Sequence, residues 1–186
     1  MKNLIKNPYA WAGAFVFAVV AIAWFSRDFF EPVGAGSEAP TFRAVNLEGD
    51  SVALRDYRGQ VVLLNVWATW CPPCVEEMPS MQRLYELIDD PDFEVVAVSI
   101  DARQGQRDES GNVGGDVAAF VEEYGLTFDI LLNPSGSIQR IYQTTGVPES
   151  FVIGRDGMIY QKVTGAAEWD SPRNVALMRR LLERER

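Results

Sequence analysis

The two cysteines of the chain, Cys71 and Cys74, stand three positions apart in the stretch VWATWCPPCVEEMP. Disulfide exchange needs an attacking thiolate and a second thiol that can resolve the mixed disulfide, and a Cys-x-x-Cys pair at a strand-to-helix turn supplies both. A structural zinc site would need four Cys or His ligands, and a staple across so short a loop would constrain the unfolded chain little. Inert core cysteines are not expected at the start of a helix. The spacing therefore favours a redox-active dithiol, with Cys71 as the nucleophile and Cys74 as the resolving thiol.

The residues around Cys71 determine how strongly its thiolate is stabilised. The positive end of the helix macrodipole favours the thiolate. Pro72 and Pro73 start the helix without N–H groups, which leaves the Cys74 N–H as the nearest donor to the sulfur, and Glu77 adds a negative charge at the same end. Since the prolines and the glutamate both weaken stabilisation of the thiolate, and a less stabilised thiolate makes a dithiol more reducing, the sequence predicts a reductant.

Glu77 has two interpretations. It could be a proton relay to the cysteines if burial raises its pKa, or an ordinary exposed helix residue, as its neighbour Glu76 is expected to be. We favour the relay and count Glu77 with the two cysteines as catalytic residues.

Composition limits the alternatives. The chain of 186 residues is 47% hydrophobic and 23% charged, which suits one globular domain with a core. It contains no histidine, which excludes catalysis by Ser-His or Cys-His pairs and imidazole metal sites. A formal charge of -9 offers no basic surface for phosphates, so nucleic acid is not an expected partner.

The amino-terminal stretch is strongly apolar. No residue between Pro8 and Phe25 is charged, and eighteen residues at about 1.5 Å each span about 27 Å, enough for a hydrocarbon core. A cleaved signal peptide usually has a shorter apolar stretch and a clearer cleavage site than VGAGSEA, and a helix that is apolar on all faces is difficult to bury in one small domain. We therefore favour an uncleaved transmembrane anchor over residues 8–25.

Charge and composition set the arrangement of the other segments. Lys2 and Lys6 favour an amino terminus in the cytoplasm, which predicts a cytoplasmic segment 1–7 and places the rest of the chain outside. The Gly, Pro and Ser content of residues 26–38 is typical of a linker, and residues 39–186 are expected to form the catalytic domain.

The catalytic domain alternates between strand and helix patterns. QVVLLNVWAT and FEVVAVSI suit strands buried on both faces of a sheet, and turns at Glu48-Gly49-Asp50 and Arg155-Asp156-Gly157 predict two hairpins. Helical spacing follows the cysteines and recurs in DVAAFVEEYG, around Ser137–Tyr142 and from Pro172 to Glu185. This order indicates an α/β fold with helices around a mixed sheet.

One connection is unusually long. Residues 101–116, DARQGQRDESGNVGGD, are polar and rich in glycine, which is typical of a mobile surface insertion. No residue pattern in the segment indicates a partner.

The motifs NVWATWCPPC and GVPESFVIGRDG together resemble the thioredoxin superfamily, and more narrowly its membrane-anchored TlpA/ResA/CcmG group of thiol-disulfide oxidoreductases, over about residues 39–186. The resemblance implies a thioredoxin-like fold with an amino-terminal β-hairpin extension, preceded by one transmembrane helix. Within the group, Pro148-Glu149 resembles the acidic loop of CcmG-like proteins, whereas VVAVSID and the 101–116 segment are closer to ResA or TlpA.

The resemblance also implies roles for single residues. Pro148 should be cis and pack beside the disulfide, which leaves the Val147 backbone to pair with an extended substrate segment. The other substrate-binding residues that it implies are Trp70, Pro72 and Pro73. Pro79 matches the proline inside the active-site helix of the superfamily. Asn65 stands where thioredoxin has a buried aspartate, so proton transfer from such an aspartate is not available.

In function, the resemblance implies a domain tethered to the bacterial cytoplasmic membrane on its periplasmic or extracytoplasmic side. It would receive electrons from a membrane reductase of the DsbD or CcdA type and pass them to a protein client. Apocytochrome c is the first expectation, and a copper-site assembly protein is the main variant. No metal is expected, and no cofactor beyond the redox-active Cys71–Cys74 disulfide.

Three other functions use related chemistry. A DsbA-type oxidant would run the exchange in the opposite direction, but such proteins commonly have histidine in the motif. A peroxidase would need a threonine three positions before its cysteine, where this chain has Ala68. Delivery of Cu(I) by the dithiol is chemically possible, because thiolates favour that ion.

Overall fold

The computed structural model describes residues 8–26 and 32–184. The predicted cytoplasmic segment 1–7, residues 27–31 of the predicted linker and the predicted helix end at Glu185 lie outside the described residues. The chain divides into two compact units, Met1–Pro32 and Val33–Arg186.

The first unit contains one helix, α1 (Pro8–Ser26), within its described residues. Several of its large apolar side chains are exposed, namely Trp11, Phe15, Val16, Phe17, Val19, Val20, Ile22 and Trp24. Across the part of the chain that the structure describes, no helix has the length and apolarity that crossing a membrane requires. The anchor predicted for residues 8–25 is therefore not confirmed and stays a prediction.

The second unit is built on one sheet. The strands in its described residues are β1 (Arg43–Asn46), β2 (Ser51–Ala53), β3 (Val61–Trp67), β4 (Phe93–Ser99), β5 (Asp129–Leu132), β6 (Glu149–Ile153) and β7 (Ile159–Thr164). The helices are α2 (Pro72–Ile88), α3 (Val117–Tyr124), α4 (Ser137–Ile141) and α5 (Pro172–Glu183), with a 3-10 turn at Leu54–Tyr57. Both predicted hairpins are present, and the 3-10 turn is an addition to the predicted elements.

The sheet has the order β2-β1-β5-β4-β3-β6-β7. Strand β4 pairs in parallel with β3 and β5, whereas β6 is antiparallel to β3 and β7. All seven residues of β3 are buried, as its continuous apolar run predicts for a central strand. The mixed sheet and the amino-terminal hairpin therefore agree with the predicted α/β fold.

The two faces of the sheet are covered by different helices. Ser150 of β6 bonds Asn65, which bonds Glu77 of α2, while the next residue, Phe151, packs against Tyr142 at the end of α4. Because successive strand residues point to opposite faces, α2 and α4 lie on opposite sides of the sheet. Strands β3, β4 and β5 are parallel, so their carboxyl ends lie at the same edge of the sheet, where antiparallel β6 begins. The cysteines follow β3 and lie at this edge.

Residues 33–38, which were predicted to be part of the linker, bond to the second unit. The backbone of Gly36 and Ser37 exchanges hydrogen bonds with Ile159 of β7, and Glu38 forms a bridge with Met158. The compact unit therefore includes residues before position 39.

Candidate active site

The two cysteines occupy the turn between the central strand and α2. Cys71 is the N-cap of α2, and its sulfur accepts the Cys74 N–H at 3.3 Å. The two residues form a disulfide with their Cα atoms 5.3 Å apart. Cys71 is 4% exposed and Cys74 is 0% exposed, so an incoming thiol can reach only the Cys71 sulfur. This asymmetry supports Cys71 as the nucleophile and Cys74 as the resolving thiol, and the two roles stay a prediction.

The prolines between the cysteines limit the donors to the Cys71 sulfur. Pro72 and Pro73 are exposed and occupy the first two positions of α2. An N-cap side chain normally accepts from the second or third helical N–H, and here the second position is a proline. The Cys74 N–H, at the third helical position, is therefore the remaining capping donor that can reach the Cys71 sulfur.

The loop before β6 lies against the disulfide. The Val147–Pro148 bond is cis, as the resemblance implied, and the Val147 carbonyl oxygen lies 3.5 Å from the Cys71 sulfur. Pro148 is buried and Val147 half-buried. Trp70 is half-buried on the other side of Cys71, and its indole Nε1 is enclosed with no hydrogen-bond partner in the described part of the chain. The structure thus brings together the residues that the sequence placed around the sulfur.

Glu77 lies one helical turn after Cys74 and is 2% exposed, unlike its exposed neighbour Glu76. Its Oε1 accepts from Asn65 Nδ2 at 2.8 Å, and its Oε2 accepts from the Ala167 N–H at 3.1 Å and Trp169 Nε1 at 3.2 Å. Burial raises the pKa of Glu77 to about 7, although the three hydrogen bonds oppose the rise. A carboxyl group that can take or release a proton near neutral pH therefore stands beside the buried thiol position.

Asn65 of β3 connects Glu77 to the strand that follows the cis proline. Its Nδ2 donates to Glu77 and, at 2.9 Å, to Ser150 Oγ. Its Oδ1 is buried and has no partner among the described residues. The asparagine therefore acts on Glu77 only as a hydrogen-bond donor.

A second buried carboxylate, Asp101, supports the turn from the other side. Its oxygens accept from the Thr69 N–H at 2.8 Å, Thr69 Oγ1 at 2.6 Å, the Gly115 N–H at 3.0 Å and Ser99 Oγ at 2.8 Å. Since Thr69 stands two residues before Cys71, Asp101 ties both ends of the 101–116 segment to the redox turn. The predicted mobile insertion is therefore anchored at its ends, because a buried carboxylate needs these donors.

Glu149 differs from the acidic loop suggested by the resemblance. It is the first residue of β6 and is 0% exposed. Its Oε1 accepts from Thr164 Oγ1 at 2.7 Å and lies 3.5 Å from Lys162 Nζ. The carboxylate is thus enclosed within the sheet.

Sequence reasoning did not identify Asp101, Thr69 or Trp169. One feature of the sequence could have identified Asp101. It follows the buried strand β4, whose carboxyl end lies at the same edge of the sheet as the cysteines. Trp169 had a weaker signal, a single large aromatic residue in a polar stretch. Its contact with Glu77 spans 92 positions, and local periodicity carries no information on such a pairing.

The chain matches known proteins over most of its second unit. The AhpC/TSA family model covers residues 35–162. A relative named thiol-disulfide oxidoreductase ResA, from Bacillus cereus (strain ATCC 10987 / NRS 248), is 35% identical over 144 residues, which are 76% of this chain and 75% of the relative.

Two solved structures are similar to the chain. A Chlorobium tepidum protein assigned as a thiol:disulfide interchange protein DsbE has a TM-score of 0.59 and 30% identity, over 80% of this chain and 94% of that one. StoA from Bacillus subtilis has a TM-score of 0.56 over 78% of this chain and 98% of that one; at 23% identity, it supports the fold alone.

Proposed function

The chain belongs to the AhpC/TSA family and is a thiol-disulfide oxidoreductase, and from this premise we propose that it acts as a reductant of protein disulfides. The observation that carries the proposal is the small number of donors at the Cys71 sulfur together with a buried carboxyl group one turn from Cys74. One N–H reaches the Cys71 sulfur, and Glu77, with its pKa near 7, stands one turn from Cys74. A dithiol whose thiolate is weakly stabilised gives up its electrons more readily.

The reaction uses the two cysteines in sequence. The Cys71 thiolate attacks the client disulfide, forms a mixed disulfide and releases the first client thiolate. Cys74 must lose its proton before it can attack, and Glu77 accepts that proton. The Cys74 sulfur then attacks Cys71, which releases the second client thiolate and forms the Cys71–Cys74 disulfide. The client gains two electrons, and its two thiolates take up protons.

The cis-proline loop positions the client. Thioredoxin-like domains can pair an extended segment with the backbone before the cis proline, and here the Val147 carbonyl oxygen lies 3.5 Å from the Cys71 sulfur, which attacks the client disulfide. Trp70, Pro72 and Pro73 surround the same sulfur and would contact the residues on either side of the client cysteine.

The proposed setting is the extracytoplasmic face of the bacterial cytoplasmic membrane. Its support is the segment predicted as the anchor, residues 8–25, which has no charged residue and exposes large apolar side chains such as Phe15 and Phe17. A membrane reductase of the DsbD or CcdA type would return electrons to the disulfide. The proposed client is apocytochrome c, whose cysteines must be reduced before haem attachment, and a copper-site assembly protein is the alternative.

The test is the reduction potential of the full-length protein, equilibrated in thiol buffers with tryptophan fluorescence or thiol trapping as the readout. We expect a value near or below that of thioredoxin, about -270 mV. A value near the oxidising end of this superfamily, about -120 mV, would mean that the protein makes disulfides instead.

A pair of variants tests the physical reason for that potential. Pro73→Ala restores an N–H at the second position of α2, where it can donate to the Cys71 sulfur, and should make the potential less negative by about 30 mV for each pKa unit by which the thiol pKa falls. Pro72→Ala restores an N–H at the first position, which does not point at the N-cap side chain, and should leave the potential almost unchanged. Equal shifts in the two variants would contradict the explanation.

A further inference from the structure

A groove of about 650 Å³ lies between the 101–116 segment and the segment that follows β5. Ile100 and Ala102 form part of its lining on one side, and Pro134 on the other. Three arginines also line it: Arg103, Arg107 and Arg140. We propose that this groove binds an acidic stretch of the client polypeptide close to the disulfide that Cys71 attacks. The inference rests on the proposed function and adds a specificity site to it.

The first wall of the groove is fixed to the active-site turn. Asp101 holds Thr69 and Gly115 through the hydrogen bonds described above. A Cβ at Gly115 would lie 2.3 Å from Thr69 Oγ1, and one at Gly114 would lie 1.9 Å from the Ala102 oxygen. Only glycines therefore permit the two ends of the segment to approach each other and the turn so closely.

The tip of the same wall has its own internal structure. A bridge joins Arg107 to Val113, and both oxygens of Asp108 accept hydrogen bonds from within the tip, from Ser110 and Asn112. The carboxylate of Asp108 is therefore hydrogen-bonded within the tip and does not pair with Arg103 or Arg140. The segment forms a closed turn that can present its side chains to the groove.

The second wall is connected to the other side of the active site. Asn133 fixes the start of α4, because its Oδ1 accepts from Ser137 Oγ and the Ile138 N–H, both at 3.1 Å. The chain then runs from α4 to Val147, whose carbonyl touches the Cys71 sulfur. Both walls thus lead to residues that surround the reactive sulfur, and a client bound there could also extend into the groove.

The charge of the groove determines what it can bind. The side chains of Arg103 and Arg140 are exposed and make no hydrogen bond or ion pair within the described part of the chain. Guanidinium groups bind carboxylates in a bidentate geometry. Two acidic residues, Asp108 and Glu109, also line the groove, so its three arginines leave it with a formal charge of +1. The whole protein has a net charge of -9, so the groove is a favourable place for an acidic segment to bind.

The occupant is an extended polypeptide rather than a small anion. Arg103 and Arg107 lie on the first wall of the groove, and Arg140 lies on the second. Both walls follow strands that end at the same edge of the sheet as β3, which precedes Cys71. An extended chain covers about 3.3 Å per residue, so glutamates or aspartates a few residues from the client cysteine would reach them. Contacts of this kind, at the rim of a binding site, mainly affect association and its dependence on salt.

The experiment measures the attack of Cys71 on two matched peptides in a full-length Cys74→Ser background, where the reaction stops at the mixed disulfide. Each peptide carries one cysteine activated with 2-thiopyridine, flanked by four glutamates in one peptide and four glutamines in the other. The Cys71 thiolate attacks the peptide sulfur, the new S–S bond forms, and 2-thiopyridone leaves with the electron pair and is read by its absorbance. Attack by Cys71 does not depend on which direction of net electron flow is the physiological one.

We expect the glutamate peptide to react about fivefold faster than the glutamine peptide at low ionic strength. The ratio should fall to about one in Arg103→Gln/Arg140→Gln, and also in about 0.5 M salt, where the Debye length is only a few ångströms. Arg58→Gln is the matched control, because Arg58 is an exposed arginine that precedes the opposite end of β3, and it should keep the ratio.

Rates with the glutamine peptide separate a folding defect from a lost contact, since they should be equal in all variants. A ratio of one in the parent protein, or a ratio unchanged in the double variant, would overturn the groove assignment and leave the reductant proposal standing. If neither peptide reacted, the proposed thiol chemistry would itself be wrong, and this inference would fall with it.

Discussion

Two buried carboxylates adjoin the redox turn, and they are held in different ways. Asp101 contacts Thr69, on the side of the turn that precedes the cysteines. It accepts four hydrogen bonds, two of them from backbone N–H groups and two from hydroxyls. Glu77, after the turn, accepts three, and the indole and amide side chains that supply two of them come from distant parts of the chain. The two residues are buried to a similar extent, since Asp101 is 5% exposed and Glu77 is 2% exposed.

The difference shows that burial alone does not assign a role to a carboxylate. Asp101 links Thr69 to Gly115 and so fixes two loops against each other. Glu77 has fewer donors, burial outweighs them, and its pKa rises to about 7. One carboxylate therefore fixes the geometry of the site, while the other can exchange a proton there. The following variants test that separation.

The largest effect is expected for Glu77→Gln and concerns the pH dependence of stability in the oxidised protein. The pKa of Glu77 is about 7 in the folded protein against an ordinary value of 4.5, so between these two pH values the folded protein holds a proton that the unfolded chain has released. The resulting stability is complete below pH 4.5 and is lost as the pH rises through 7, about 3 kcal/mol in all. Urea unfolding between about pH 4 and 8 should show this fall in the wild type and not in the variant.

Two neighbours provide controls for that measurement. Glu76→Gln removes an exposed glutamate from the same helix and should keep the wild-type pH profile. Glu94, whose pKa burial raises to about 6, contributes with the same sign, but it is present in every variant and cancels in the comparison. Identical profiles for wild type and Glu77→Gln would show that the carboxyl does not hold a proton in the folded state.

A smaller effect is expected for Asp101→Ala, which removes the shared acceptor of Thr69 and Gly115. Unfolding free energy at pH 7 should fall by about 2 kcal/mol, because buried donors lose their partner. Hydrogen exchange at the Thr69 and Gly115 amides should accelerate together. Asp108→Ala removes a half-buried carboxylate whose hydrogen bonds all stay within the tip of the same segment, and it should cost less, about 1 kcal/mol. If the two aspartate variants were equally stable, Asp101 would not anchor the segment.

The smallest effect is expected for Gly115→Ala, which keeps Asp101 but crowds the residue that it holds. The added methyl group would lie 2.3 Å from Thr69 Oγ1, and the displacement should cost about 1 kcal/mol in thermal or urea unfolding. Gly146→Ala, in the loop before the cis proline, meets open space and should be neutral or slightly stabilising. A neutral Gly115→Ala would show that the segment shifts freely on the turn.

Much of this architecture could be predicted from local pattern. The continuous apolar runs identified β3 and β4 as central strands, the turn residues placed both hairpins, and the Cys-Pro-Pro-Cys motif located the start of α2. The cis bond at Pro148 followed from the resemblance, since spacing alone gives no signal for it. Elements with strong periodicity or a tight turn are specified by neighbouring residues.

The surroundings of the two carboxylates could not be predicted in the same way. Glu77 is ionisable near neutral pH because burial raises its pKa, and the Ala167 N–H and Trp169 indole that contact the buried carboxyl come from about 90 positions along the chain. Asp101 was included in a segment whose glycine and polar content indicated mobility, whereas the structure uses its glycines for a close approach to Thr69. Both outcomes depend on contacts between distant residues, which composition does not encode.

The unpaired Oδ1 of Asn65 leaves a free hydrogen-bond acceptor beside Glu77 among the described residues. A proton on Glu77 fits on Oε1, since Oε2 already faces two N–H donors, and there it would oppose the Asn65 amino group. Turning the amide by half a revolution presents Oδ1 to the new O–H and removes the amino group from Ser150, two residues beyond the cis proline. The protonation state of Glu77 and the hydrogen bond between Asn65 and Ser150 would thus be coupled through one uncharged side chain.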